Sequence, residues 1–307
     1  LNVGMSIPGG LPAGTSHSFT MTVVSDTDGT VTQTQEFSIY VVQCFGITVS
    51  VDKTTDSANP AASSDFTVTV ENIGNGDDTV SLMTMGASAW SPSLSESELT
   101  IASAASDTTV FSMTVPSEAS ANAESGMAMV HALSMVCDTA VQEQLASDFP
   151  NIRDWEAIDC DHSTASKLTG YEDWISVSTK ANQVYDLEAG YYSETDENGT
   201  STDISSASVQ EGMETQMKFT VTNNGNGNDE ITLSLANAPE WASLGQGTAL
   251  VGPGQTVTLV VVLATPEGSM DDYAFQVTAT SADGIGTATT DDLTLTVTEK
   301  IESTGES

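Results

Sequence analysis

Cations are what this sequence most lacks: 6 Lys and Arg stand against 43 Asp and Glu, leaving a formal charge of −37 over 307 residues. A field of that sign repels phosphate backbones and anionic headgroups, which excludes nucleic-acid binding and adsorption to a membrane surface. Long apolar runs are also missing. The longest strongly apolar stretch, Leu259 to Ala264, falls far short of the ~20 residues of a membrane helix, so neither membrane insertion nor a leader or anchor is expected within these residues. Catalytic signatures are absent as well: there is no Gly-x-Ser-x-Gly elbow, no His-Glu-x-x-His, no phosphate-cradling loop and no Cys-x-x-Cys pair. His17 and His131 have no acidic or nucleophilic neighbour at a recognisable spacing, which leaves them as ordinary surface or edge residues. Because charged residues total only 16%, it is the scarcity of cations that makes the surface self-repelling, and salt screens that repulsion within about 8 Å. A saline setting and a general solubility device fit this equally well.

What is present is alternation and repetition. Hydrophobic residues make up 38% of the chain, in short runs between Gly, Asn, Asp, Ser and Thr, enough for several small cores and unlike a disordered acidic tail. The segment Phe66-Thr-Val-Thr-Val-Glu-Asn-Ile-Gly-Asn-Gly-Asp-Asp-Thr-Val-Ser-Leu82 recurs as Met217-Lys-Phe-Thr-Val-Thr-Asn-Asn-Gly-Asn-Gly-Asn-Asp-Glu-Ile-Thr-Leu233. Gly74 and Gly225, Trp90 and Trp241, and Leu99 and Leu250 are each 151 residues apart, and Pro116 and Pro266 are 150 apart. A shorter third copy is read from Met5-Ser-Ile-Pro8 against Met113-Thr-Val-Pro116, with Phe19 to Ser25 set against Met127 to Leu133 and Phe275 to Ser281. Fixed periods of this kind mark repeat architecture. Residues 1–45 are therefore expected to be the C-terminal half of a truncated domain, 46–182 a second domain, 183–299 a third, and 300–307 an acidic linker or tail, the whole being a fragment of a longer tandem protein.

Within each copy the period is two, the mark of half-buried strands. In the last copy strands are predicted near 184–187, 215–222, 230–235, 249–251, 256–264, 273–281 and 289–298. Short strands rich in Thr and Val with turn signals between them define an all-β chain of antiparallel sandwiches. Trp90 and Trp241 read as core plugs or lids, and the glycines of Gly74-Asn-Gly76 and Gly225-Asn-Gly227 as suppliers of the positive φ of tight turns. The order Asn223, Gly225, Asn226, Asp229, Trp241, Pro253-Gly-Gln-Thr256, Pro266, Tyr273, Phe275, Val277 and Ser281 resembles the NEW3/CARDB-like group of immunoglobulin-like modules. The middle copy keeps Asn72, Gly74, Asn75, Asp78, Trp90 and Pro116 but has Ala104-Ala105-Ser106 in place of Pro-Gly-Gln. The resemblance implies tandem immunoglobulin-like sandwiches of archaeal or bacterial surface and secreted proteins, which serve as non-catalytic spacers or binding appendages.

One segment escapes the repeat. Where the other copies have a short turn, the middle copy carries about 36 residues, 137–172, a length that is usually functional when it lies inside a compact domain. Val141, Leu145 and Phe149 share one helical face, Thr139 with Gln142 forms a candidate capping box, and Pro150 stops the helix. Topology places this partly helical insertion at the pole where the domain begins, beside the Gly74–Asp78 loop and Cys44, so that it braces two domains. Cys137 and Cys160 bound it and are the favoured disulfide, leaving Cys44 unpaired within this chain.

Candidate sites are few. Asp77 and Asp78 with Asp159 and Asp161 form a candidate calcium set, and Asp26 with Asp28 a second. No complete twelve-residue calcium loop is present, so solvated turn carboxylates remain the leading reading, and no cofactor is called for. Trp155, Tyr171 and Trp174 are candidate stacking groups for a carbohydrate, and Asn198 in Asn198-Gly-Thr200 is a glycosylation sequon in a turn-rich stretch. Cys160, Asp159, Asp161 and His162 could be arranged for hydrolysis, but their spacing matches no closed Cys/His framework, and no enzyme is expected. The function expected is a non-catalytic extracellular or cell-surface spacer whose partners are the neighbouring domains of its own polypeptide. The alternative is an adhesion module that binds a surface glycan or protein through the insertion.

Overall fold

The computed structural model of the protein describes residues 4–150 and 170–301, and it divides into two compact units. The first comprises residues up to Ser117 with Glu124–Lys180, and the second Glu118–Ala123 with Ala181 onward. Both are built from mainly antiparallel β-structure, and the chain is an all-β protein of immunoglobulin-like sandwiches with one small helical insertion.

The first unit opens with a hairpin, β1 (Ser16–Val24) and β2 (Thr32–Tyr40), registered so that Phe19 faces Phe37. A sandwich follows, built from β3 (Ile47–Val51), β4 (Thr55–Ala58), β5 (Ser63–Asn72), β6 (Asp78–Gly86), β7 (Ser93–Leu94), β8 (Glu98–Ile101), β9 (Ser106–Thr114), β10 (Ala128–Ser134) and β11 (Glu172–Ala181). One sheet runs β3-β5-β9-β7 and the other β4-β11-β10-β6-β8. Strict alternation decides which side chains meet between them: Phe66, Val68, Val70, Phe111 and Met113 from the first sheet, and Val80, Leu82, Ile101, Val130 and Val177 from the second, are essentially inaccessible. Phe66 and Phe111 sit with ring centroids 6.2 Å apart at the centre, and truncating either to Ala costs about 3–5 kcal/mol. Trp90 is buried with the core residues on a single 3-10 turn, Ser88–Trp90, flanked by left-handed Ala87 and Ser91.

In the second unit β12 (Leu187–Thr195), β13 (Ser201–Ile204), β15 (Glu214–Asn223), β17 (Ala242–Leu244) and β19 (Thr256–Ala264) form one sheet, ordered β13-β12-β15-β19-β17. The other is β14 (Ser206–Gln210), β22 (Leu293–Thr298), β20 (Asp271–Thr280), β16 (Asp229–Ala236) and β18 (Thr248–Val251) in that order, with β21 (Thr287–Thr289) also paired to β20. β14 joins β22 in parallel. Phe219, Val221, Ile231, Leu259, Val261, Leu263, Phe275, Val277, Leu293 and Leu295 form the core. Trp241 is only half-buried and stands edge-on to Tyr273 at 5.0 Å, so it is a lid where Trp90 is a plug. On the solvent faces Thr and Ser hydroxyls pair across strands, as in Ser63–Thr114, Thr222–Thr256 and Thr278–Thr289. These pairs keep a surface poor in cations hydrated and laterally tied.

Three sequence expectations need correction. The strand expected at 184–187 begins at Leu187 and runs to Thr195, because Val184 is held by a loop as described below. The turn-rich stretch after it is a hairpin, β12 to β13, whose tip is built on Asp196: the amides of Asn198 and Thr200 both donate to Asp196 Oδ1. Finally, the inward series Phe275, Val277, Ala279 and Ser281 matches Ala128, Val130, Ala132 and Ser134, not Met127 to Leu133. A slip of one residue moves every side chain to the opposite face of a strand, and the two buried series set the register.

Candidate functional site

The repeated Asn-x-Gly-Asn-Gly loop joins β5 to β6 and β15 to β16. Its first asparagine shapes it. Asn72 Nδ2 donates to the carbonyls of Gly76 and Ile101, both at 2.9 Å, while Gly74 N donates back to its Oδ1 at 2.8 Å. Asn223 repeats this with Gly227, Val251 and Gly225, each at 2.8 Å. Both asparagines are fully buried at strand ends, where unpaired amides would be costly, and every group of the carboxamide is engaged.

The second asparagine of the loop reaches outward. In the first unit Asn75 Oδ1 accepts from Cys44 N at 2.6 Å, and its Nδ2 donates to the carbonyls of Val42 at 3.1 Å and Leu11 at 3.3 Å. Its own carbonyl accepts from Ala13 N at 2.8 Å and its amide donates to Cys44 O. One residue thus ties the segment leading into β1 to the linker that follows β2. In the second unit Asn226 Oδ1 accepts from Val184 N at 2.8 Å, and Nδ2 donates to the carbonyls of Asn182 at 2.9 Å and Ala119 at 3.1 Å. The Asn226 carbonyl accepts from Ala121 N and its amide donates to Val184 O. Glutamines add a further tie, Gln43 Nε2 to Asp77 O at 2.6 Å and Gln183 Nε2 to Asn228 O at 2.7 Å. The two clamps are the same device, bond for bond.

That geometry explains the glycines, and it overturns the expectation that they supply positive φ. None of Gly74, Gly76, Gly225 and Gly227 is in the left-handed region. They are required by close approach: a Cβ on Gly74 would collide with Cys44 O, and one on Gly225 with Val184 O. A Cβ on Gly227 would lie 2.6 Å from Ala121 Cβ, and one on Gly76 2.8 Å from Gln43 Cδ.

Asp77 and Asp78, the two described members of the candidate calcium set with Asp159 and Asp161, differ in their surroundings. Asp78 is buried, with Oδ2 accepting from Ser134 Oγ at 2.7 Å and Oδ1 from Met135 N at 3.1 Å, and burial pushes its carboxyl up despite those donors. Asp77 is exposed. Asp229 holds the equivalent place in the second unit and accepts from Ala282 N at 2.9 Å. Asp28 is exposed and accepts from the hydroxyl and amide of Thr30, which hold its carboxyl below the usual range. Asp159 and Asp161 lie outside the described residues, as do Cys160, His162 and Trp155. Among the described residues no cluster of three or more His, Cys, Asp or Glu is gathered.

The insertion does reach the linker. Helix α1 (Thr139–Asp148) is capped by Asp138, whose Oδ1 accepts from Ala140 N and Val141 N, and not by Thr139. Gln142, expected to complete a capping box, is buried and donates instead to Val136 O at 2.8 Å. Leu145 and Ala146 pack with Val42, Met135 and Tyr171 around the buried pair Phe45 and Val136. Phe149 stacks on Tyr40 of β2 at 5.5 Å. Cys137 is disulfide-bonded and Cys44 is free. Beside Cys44 a cavity of about 600 Å³ is lined by Leu11, Pro12, Phe45, Ile73, Asn75 and Ser103, among others.

The stacking candidates separate. Tyr171 is drawn into the packing under α1, and Trp174 lies edge-on to His131 at 6.1 Å. His131 itself is a correction. It is 3% exposed, and its Nε2 lies 2.9 Å from Glu172 Oε2, an acidic neighbour 41 residues away in sequence that the strand register of β10 and β11 delivers. The adjacent Asp173 turns to the opposite face and accepts from Val49 N at 2.9 Å, linking the two sheets. Asn198 is exposed at its hairpin tip, and His17 is exposed on β1.

No family model and no curated protein matches the chain. Among solved structures it is similar to the D0-D1 domain of Intimin, at 14% identity over 82% of this chain and 99% of that one, with a TM-score of 0.25. It is similar to the YadV chaperone at 9% identity over 81% of this chain and 97% of that one, with a TM-score of 0.26. Escherichia coli alpha-2-macroglobulin matches at 10% identity over 92% of this chain and 24% of that one, with a TM-score of 0.24. Likeness at this level carries no argument about function.

Proposed function

We propose that the chain is a non-catalytic extracellular segment, resembling NEW3/CARDB-like immunoglobulin modules, that spaces other parts of a cell-surface or secreted protein. The observation that carries this reading is the clamp, built twice from Asn75 and Asn226 with the same donors and acceptors. A loop that repeats bond for bond, with glycines dictated by what it grips, is spent on gripping chain and not on a ligand. The charge of −37 keeps such modules hydrated and mutually repelling, and the disulfide at Cys137 fits an oxidising compartment. Helix α1 stiffens the linker it covers.

The test uses the intact chain on a glycan array and on a panel of ester, peptide and glycoside substrates. Absence of both binding and turnover is the expected result. Glycan binding that disappears when 138–171 is replaced by a short turn would make the chain an adhesin, and hydrolysis abolished by Cys160→Ala would make it an enzyme.

A further inference from the structure

We propose that the face of the β1–β2 hairpin bearing Phe19, Met21, Val23, Phe37 and Ile39 docks the front half of a module of this same plan. The occupant is a sheet with alternating Phe and Val strands of the β15 and β19 type, joined ahead of Met5. This deepens the tandem-module reading and rests on it.

The register supplies the argument. β1 pairs with β2 so that Phe19 opposes Phe37 and His17 opposes Ile39, while in β20 and β22 Phe275 opposes Leu293 and Tyr273 opposes Leu295. Phe19, Met21 and Val23 therefore stand where Phe275, Val277 and Ala279 do, and Phe37 and Ile39 where Leu293 and Leu295 do. Those counterparts are 0–1% exposed, packed against Phe219, Val221, Leu259 and Val261. In the hairpin Phe37 is 40% and Val23 52% exposed, Phe19, Met21 and Ile39 are only half-buried, and Phe19 stacks on Phe37 at 5.4 Å. The approach to the hairpin tells the same story. Met5-Ser-Ile-Pro8 repeats Leu263-Ala-Thr-Pro266, the end of β19, yet Met5 is 49% exposed where Leu263 is wholly buried. One edge is open as well: β10 and β20 each pair with a strand on both sides, whereas β1 pairs only with β2 among the described residues. An apolar face and a free strand edge together fit a β-sheet partner. The repeat shows which sheet has the matching side chains.

The experiment grafts a copy of residues 185–262 ahead of Met5 in the full chain, reproducing the join to Leu263. A control carries the same graft after Ser307. Readouts are fluorescence of the apolar dye ANS, hydrogen exchange of the Thr20 and Thr22 amides, and mass by light scattering. The expected result is that the ungrafted chain binds dye as a monomer, and that the forward graft abolishes this binding and protects both amides where the control does not. Phe19→Ser with Phe37→Ser in the ungrafted chain should remove dye binding without any graft, which gives a readout should the graft misfold. Dye binding and exchange unchanged by a folded forward graft, or dye binding that survives the double substitution, would overturn the proposal. So would an ungrafted chain that dimerises through this face. Glycan binding or turnover in the previous test would sink the spacer reading while leaving these readouts intact.

Discussion

Replacing Asn226 by Ala removes one carboxamide and with it three hydrogen bonds: those to Val184 N, Asn182 O and Ala119 O. Each such bond contributes about 0.5–1.5 kcal/mol net, and the freed partners are partly exposed, so water replaces some of what is lost. The sum is about 2–3 kcal/mol, set against the 5–15 kcal/mol that holds a typical domain folded. The bonds lost all run to Val184, Asn182 and Ala119 and none to a core strand, so the loss falls locally on the linker before it falls on the global transition. The Val184 amide reports it directly, because its acceptor in the native state is Asn226 Oδ1. Its hydrogen-exchange protection is expected to fall by roughly thirty- to a hundredfold, at about tenfold per 1.4 kcal/mol. Asn226→Asp should be worse at neutral pH, since it keeps the acceptor for Val184 N but turns an oxygen toward two carbonyls. Asn224→Ala, next door and exposed, should change nothing. Val184 as well protected in Asn226→Ala as in the wild type would refute the reasoning.

Gly225→Ala is expected to disrupt the same loop more severely than the loss of Asn226, because the new Cβ meets backbone that has no rotamer with which to yield; two-dimensional NMR of the second unit would show shifts centred on Val184. Burial raises the Asp78 carboxyl, so its native form holds its proton to a higher pH than the unfolded chain does, and the associated stability is full below the ordinary carboxyl value of 3.8 and declines as pH rises through the raised value. Asp78→Asn keeps an acceptor for Met135 N and removes the buried charge, so its urea midpoint should gain on the wild type as pH climbs from about 3.5 to 7; a constant difference across that range would contradict this. Cys137→Ser should cost the first unit about 2–4 kcal/mol, matched by reducing the wild type.

The strands were readable from the chain because alternation such as Phe66, Val68, Val70 is a local record of which face is buried. The repeat then carried that reading from one copy to the next. The joints were less readable. The Asn-x-Gly-Asn-Gly spelling was visible, but what Asn75 grips lies as far as 64 residues upstream and what Asn226 grips as far as 107, so their roles depend on the folded path. Gln43 and Gln183, aligned at the linker, were the one available hint. The same limit hid the His131–Glu172 pair, made only when β10 and β11 are in register. In the insertion, Thr139 with Gln142 satisfied a capping pattern that Asp138, one residue earlier, already fulfilled.

Pulsed electron-spin distance measurement bears most directly on whether the asparagine loop fixes its neighbour. With nitroxides at the exposed positions Thr34 on β2 and Thr108 on β9, and Cys44 replaced by Ala, the wild-type first unit should give one narrow distance distribution. Asn75→Ala should broaden it. A distribution already broad in the wild type, or one equally narrow without the asparagine, would contradict the clamp.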